Sequence, residues 1–135
     1  MDAPGARFAS RLFFWAGIYG LLGLLPQYFL EARIGIDTPP PITHAEFFYG
    51  FVGVGLAWQI AFLVISRDPL RFRLMMIPGA IEKISFAGST YGLFLASRVA
   101  GMTVAFATVD LVLAILFMVA FFRTGEARGP RSEQR

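Results

Sequence analysis

FFYGFVGVGLAWQIAFLVIS, residues 47–66, decides the fold, because it runs for twenty residues without one charge. A helix crossing a bilayer needs about 20 consecutive, mostly apolar residues. The same reading extends outward in both directions. LFFWAGIYGLLGLLPQYFL, residues 12–30, is also uncharged. Residues 74–97 are interrupted only by Glu82-Lys83, and residues 99–122 only by Asp110. Backbone groups in lipid must pair within a helix or a closed barrel, which excludes an open sheet. The expected fold is therefore all-α: a transmembrane four-helix bundle over residues 1–122, with spans at about 11–30, 44–66, 74–97 and 99–122.

Composition agrees. Of 135 residues, 56% are hydrophobic and only 16% charged, against about 25% charged in an ordinary soluble domain. Cysteine is absent, which excludes disulfides, thiolate metal sites and cysteine nucleophiles. The net charge of +3 does not point to nucleic acid, since the arginines flank apolar segments.

Those arginines set the orientation. Arg7, Arg11, Arg67, Arg71, Arg73, Arg123, Arg128, Arg131 and Arg135 fall on one side of the expected spans, and only Arg33 and Arg98 on the other. By the positive-inside rule both termini are cytoplasmic. The basic stretch 123–135 is expected to be a disordered cytoplasmic tail. The first span is longer than the 7–15 apolar residues of a signal peptide and lacks a small-residue cleavage site, so it is expected to remain.

The joints carry local signals. Thr43 and Glu46 have the spacing of a capping box, with Ile42 and Phe47 placed as a hydrophobic staple. Asp68-Pro69 reads as an N-cap followed by proline at the first helical position. Pro39-Pro40-Pro41 reads as a stiff extended segment. Pro78 is expected to kink the third helix, and Pro26 to bend the end of the first. Gly17, Gly20, Gly23, Gly50, Gly53, Gly55 and the Gly88/Gly92 pair mark places where helix backbones can approach closely.

Ionisable groups at membrane depth are costly and pair with one another or serve a function. Glu82, Lys83 and Asp110 are thus the candidate site, with Gln59 at a comparable depth on the second span. Lys83 is expected to reach Asp110 while Glu82 faces Gln59 or a tyrosine. Glu82, Ser85 and Ser89 lie at i, i+3 and i+7, a polar stripe on one helical face. Two acids facing one base make a titratable proton in this cluster an expected property. The alternative role for the same set is structural, locking the helices in register. His44 is the sole histidine, and with Glu46 two residues away the pair shares no helical face, so no metal site is expected. No phosphate loop, dinucleotide motif, HExxH or GxSxG is present, and no cofactor is implied.

On its length, its four spans and segments such as AEFFYGFVGVGLAWQ (45–59) and PGAIEKISF (78–86), the chain resembles the small bacterial four-helix membrane proteins loosely called DoxX-like. The resemblance is one of architecture. It implies a multi-pass protein of the bacterial inner membrane and carries over no functional residue. The acidic and histidine site residues of four-helix sterol-isomerase-like proteins have no recognisable match here. Three functions fit this reading. The first is a protein that binds or helps move a small or lipophilic molecule through its polar cluster. The second is an accessory subunit that stabilises or tethers a larger membrane complex; a homo-oligomer is expected of the first. The third is a membrane enzyme using Glu82 or Asp110 as general acid or base.

Overall fold

The computed structural model describes residues 4–126, which are all-helical, with no strand among them. Helix α1 (Pro4–Leu24) passes into a 3-10 turn, Leu25–Phe29, and a short α2 (Glu31–Asp37). Helix α3 (Ala45–Arg67) follows, then a 3-10 turn, Arg73–Met75, α4 (Met76–Leu95) and α5 (Gly101–Glu126). Three segments are long and apolar enough to cross a membrane: Pro4–Phe29, Ala45–Arg67 and Gly101–Glu126. Helix α4 is not among them. Its 20 residues correspond to about 30 Å, a bilayer core's thickness, but it carries Glu82, Lys83 and several small polar residues.

Each long helix buries one stripe. On α1 the stripe is Ala6, Ala9, Phe13, Ala16, Gly17 and Gly20. On α5 it is Ala107, Ala114, Phe117, Ala120 and Thr124, at the i, i+3/i+4 spacing of one helical face. Phe13, Phe62 and Phe117 form the centre of the core, with Phe13 and Phe117 stacked at 4.1 Å between ring centroids. Ala9, Ala16, Ala80 and Ala120 let the helices close around those three rings.

Neighbours run antiparallel. Ser10 near the start of α1 donates from Oγ to the carbonyl of Ser66 at the end of α3, at 2.7 Å. Phe13 meets Phe117 across α1 and α5, and Arg73 Nε donates to Phe121 O (2.8 Å) at the far end of α5. The most extensive contacts are α4 with α5 and α1 with α3, followed by α1 with α5. Helices α3 and α4 touch more sparsely than these three pairs. One end of the molecule thereby collects Arg7, Arg11, Arg67, Arg71, Arg73 and Arg123.

Glycine decides the α1/α3 approach. A Cβ on Gly17 would lie 2.9 Å from the Gln59 carbonyl oxygen, and one on Gly20 would overlap the Gln59 side chain. A Cβ on Gly55 would lie 2.8 Å from Leu24. Gly23, Gly50, Gly88 and Gly92, by contrast, face open space.

Several local expectations meet a different outcome. Pro78 is the third residue of α4, where backbone amides have no intrahelical partner, so it disrupts no mid-helix bond; the change of path comes earlier, in the 3-10 turn at Arg73–Met75. Pro26 behaves as expected, in that α-helix gives way to 3-10 helix around it. The capping box does not form: His44 is the N-cap of α3 and makes no side-chain capping bond, and Glu46 turns back to within 3.4 Å of His44 Nδ1. Both groups are solvent-exposed, and water serves the free amides equally well. Asp68 caps the turn that precedes α4 rather than α4 itself, accepting from Arg71 N (3.1 Å). The Glu31–Ile42 loop contains α2, pinned to α3 by Tyr49 Oη donating to Glu31 Oε2 (2.6 Å). Helix α5 continues to Glu126, four residues into the expected tail, and residues 127–135 lie outside the described residues.

Helix α4 ends in a Schellman arrangement. Arg98 N donates to Leu93 O (2.8 Å) and Ser97 N to Phe94 O (2.9 Å). Ser97 occupies the left-handed position at φ 57°, where glycine is usual.

Candidate functional site

Lys83 belongs to the buried stripe of α4, with Gly79, Ala80, Ala87 and Thr90. Its stem packs inward and its Nζ ends between two carboxylates, 3.2 Å from Asp110 Oδ1 on α5 and 3.4 Å from Glu82 Oε2. Side-chain exposure is 6% for Lys83, 13% for Asp110 and 21% for Glu82. The Phe62 ring of α3 lies 5.5 Å from the ammonium, within cation–π range, so Lys83 addresses α3 and α5 together. One ammonium is thus shared by two acids, and the cluster carries a formal charge of minus one with both ionised.

Glu82 is half-buried, and its neighbours on the helix face adjoin α3. Gly79, three residues before it, lies against Phe62 of α3, where an added Cβ would stand 3.0 Å from the ring. Phe86, four residues after it, stacks on Phe51 of α3 at 5.9 Å between centroids. Aromatic side chains therefore span the α3/α4 seam while the helix backbones stay apart. Glu82 Oε2 is shielded from solvent, yet no hydrogen-bond donor reaches it with good geometry. Its partner is the Lys83 ammonium at 3.4 Å, a charge contact rather than an aligned hydrogen bond.

The structure brings together Glu82, Lys83 and Asp110, and the expected Lys83–Asp110 pair is present. Glu82 pairs with its neighbour Lys83 as well, in place of the expected Gln59 or tyrosine partner. Gln59 is fully buried but turned toward α1, with its Nε2 donating to Gly55 O (3.0 Å) and its side chain seated over Gly20. Its Oε1 also lacks a donor. Ser85 and Ser89 are exposed on the outer flank of α4, so of the expected polar stripe only Glu82 joins the cluster. A shift of one residue rotates the reading by about 100°, and the buried face is instead Lys83, Ala87 and Thr90, at i, i+4 and i+7. That second stripe has helical spacing too and was visible in the sequence. Phe62 is the contributor that nothing marked, since a phenylalanine in an apolar span looks like any other.

Above the cluster, Tyr91 Oη and Thr108 Oγ1 stand 2.6 Å apart, a second polar tie between α4 and α5. No group of three or more histidine or acidic side chains able to hold a metal ion occurs among the described residues. No protein-family model, curated protein or solved structure matches this chain. What the cluster can do therefore follows from its own geometry: it offers two acids around one ammonium in a largely apolar interior.

Proposed function

We propose that this chain is a multi-pass protein of the bacterial inner membrane that binds, or helps move, a small or lipophilic molecule at Glu82, Lys83 and Asp110. In this reading α1, α3, α4 and α5 form a four-helix bundle with both termini cytoplasmic. The collection of six arginines at one end, against Arg33 and Arg98 at the other, supports that orientation. The bundle has the architecture of the DoxX-like proteins.

The observation that carries the reading is the shielded Glu82 Oε2, which meets the Lys83 ammonium at 3.4 Å without an aligned donor, on a helix whose contact with α3 is sparse. Buried polar atoms are nearly always satisfied, and an exception calls for a partner. A ligand with an apolar body and a hydroxyl, amine or protonated group would fit between the Phe51–Phe86 and Phe62–Gly79 contacts and donate to that oxygen. Native mass spectrometry of the protein extracted gently from its own membrane tests this. A bound small molecule is expected that disappears in Glu82→Gln and persists in Ser85→Ala. No adduct, or one indifferent to Glu82, would refute the assignment.

A second reading, an accessory or oligomeric subunit, is favoured by one separate observation. Ser85, Gly88, Ser89 and Gly92 are all open on α4, and small residues permit another helix to approach closely in lipid. Gly88→Leu would then release a protein partner while leaving the small-molecule adduct in place.

A further inference from the structure

A groove of about 730 Å³ runs along the outside of the α1/α5 contact, with Asp110 beyond its inner end at Tyr19 and Val109. Phe8, Leu12, Trp15 and Tyr19 line it from α1, with Val109 and Leu113 from α5. At the end near the termini it is closed by Arg7 and Arg11. These two stand at i and i+4, so both guanidinium groups lie on the groove's side of the helix. Neither has an ion-pair partner among the described residues. Arg123 adds a third positive charge beside them, its guanidinium 5.1 Å from the centre of the Phe8 ring. A smaller apolar groove of about 430 Å³, lined in part by Ala105 and Val112, shares Val109 and Leu113 with the first and prolongs it along α5.

We infer that this groove is a binding site for an anionic phospholipid, with its phosphate on Arg7 and Arg11 and an acyl chain along Trp15, Tyr19 and Leu113. Length supports one lipid in particular geometry. From Pro4 to Tyr19 the helix rises about 22 Å, which equals one leaflet with its headgroup layer, half of the 40–45 Å full bilayer. Charge sits only where the phosphate layer would be, and the remainder of the lining is aromatic or aliphatic. A zwitterionic lipid would match the apolar wall but leave the cationic end without a net counter-charge.

Trp15 is 65% exposed in the groove and serves as the reporter. The chain has two tryptophans, so Trp58→Phe leaves Trp15 alone. The full-length Trp58→Phe protein is reconstituted in phosphatidylcholine vesicles containing a minor fraction of either brominated phosphatidylglycerol or brominated phosphatidylcholine. Brominated phosphatidylglycerol is expected to quench Trp15 in excess of its mole fraction, with about a fivefold preference contributed by each arginine at low salt. Arg7→Gln should remove one such factor, and Arg7→Gln with Arg11→Gln the whole preference. Both arginines are exposed, and unchanged helical circular dichroism would show the fold intact. Equal quenching by the two lipids, or a preference that survives the double variant, would overturn the assignment. So would a Trp15 that neither lipid reaches in a chain that cross-links as a dimer, because a second copy would then fill the groove.

Discussion

Replacing Lys83 with Met keeps a long unbranched side chain in the same place and removes only the charge. In the native molecule the ammonium lies 3.2 Å from Asp110 and 3.4 Å from Glu82, all three side chains being largely withdrawn from solvent. At an effective dielectric constant near 20, each contact corresponds to about 5 kcal/mol of Coulomb attraction. Desolvation of the three ions, several kcal/mol apiece, offsets most of that, so the pairs contribute little net stability. The asymmetry lies in breaking them. Without Lys83, two carboxylates face each other with no counter-charge, and the expected loss is about 3–5 kcal/mol. Adding Asp110→Asn and Glu82→Gln to Lys83→Met removes the orphaned charges and should restore most of that loss. Unfolding of the reconstituted protein in mixed micelles, followed by helical circular dichroism, measures each step. Lowering the pH should also shrink the loss in Lys83→Met, since protonated carboxyls need no counter-ion. A Lys83→Met protein as stable as the native one, or a triple variant no better than the single, would refute the shared-ammonium description.

Two further perturbations probe the scaffold. Gly20→Leu should cost about 1–3 kcal/mol by overpacking, because its side chain would collide with buried Gln59, whereas Gly23→Leu points into open space and should be near neutral in the same assay. Ser97→Gly should stabilise the fold by about 1 kcal/mol, since it relieves a left-handed residue with a side chain at φ 57°; a melting temperature unchanged or lowered would mean that Ser97 carries no such strain.

Much of this molecule was legible from residue order, and the parts that were not share a cause. Apolar length located α1, α3 and α5, and the charges inside residues 74–122 located the Lys83–Asp110 pair, because lipid leaves so few ways to place an ammonium. The glycines were legible only as a set. Nothing in the sequence distinguishes Gly20, which admits Gln59, from Gly23, which admits nothing, since the difference is a rotation of 300° about the helix axis relative to α3. The stripe of Glu82, Ser85 and Ser89 divides for the same reason: Glu82 reaches Lys83 while both serines are exposed, because the buried face of α4 is centred one residue on, at Lys83, Ala87 and Thr90. The capping box at Thr43 failed differently. Its site is exposed, where water competes with the side chain for the same amides, so the motif carries little energy there.

The weakest membrane candidate, α4, is also the helix with the most extensive contact to its successor. Only Ala96–Ala100 separate α4 from α5, so the two form a hairpin whose partners are close in sequence. Lys83 finds Asp110, and Tyr91 finds Thr108, within that hairpin. A lone α4 would carry Glu82 and Lys83 into lipid, the Lys alone costing about 2.5–3.5 kcal/mol at mid-helix on insertion scales. The hairpin offsets part of that cost before α1 or α3 is involved, with the Lys83 ammonium held between Asp110 and Glu82. Asp110→Leu should consequently impair assembly of the α4–α5 hairpin, whereas Glu82→Gln should leave assembly intact and remove binding; protease protection of the two variants in membranes separates these outcomes. Equal loss of protection in both would place Glu82 in the scaffold and remove it from the site.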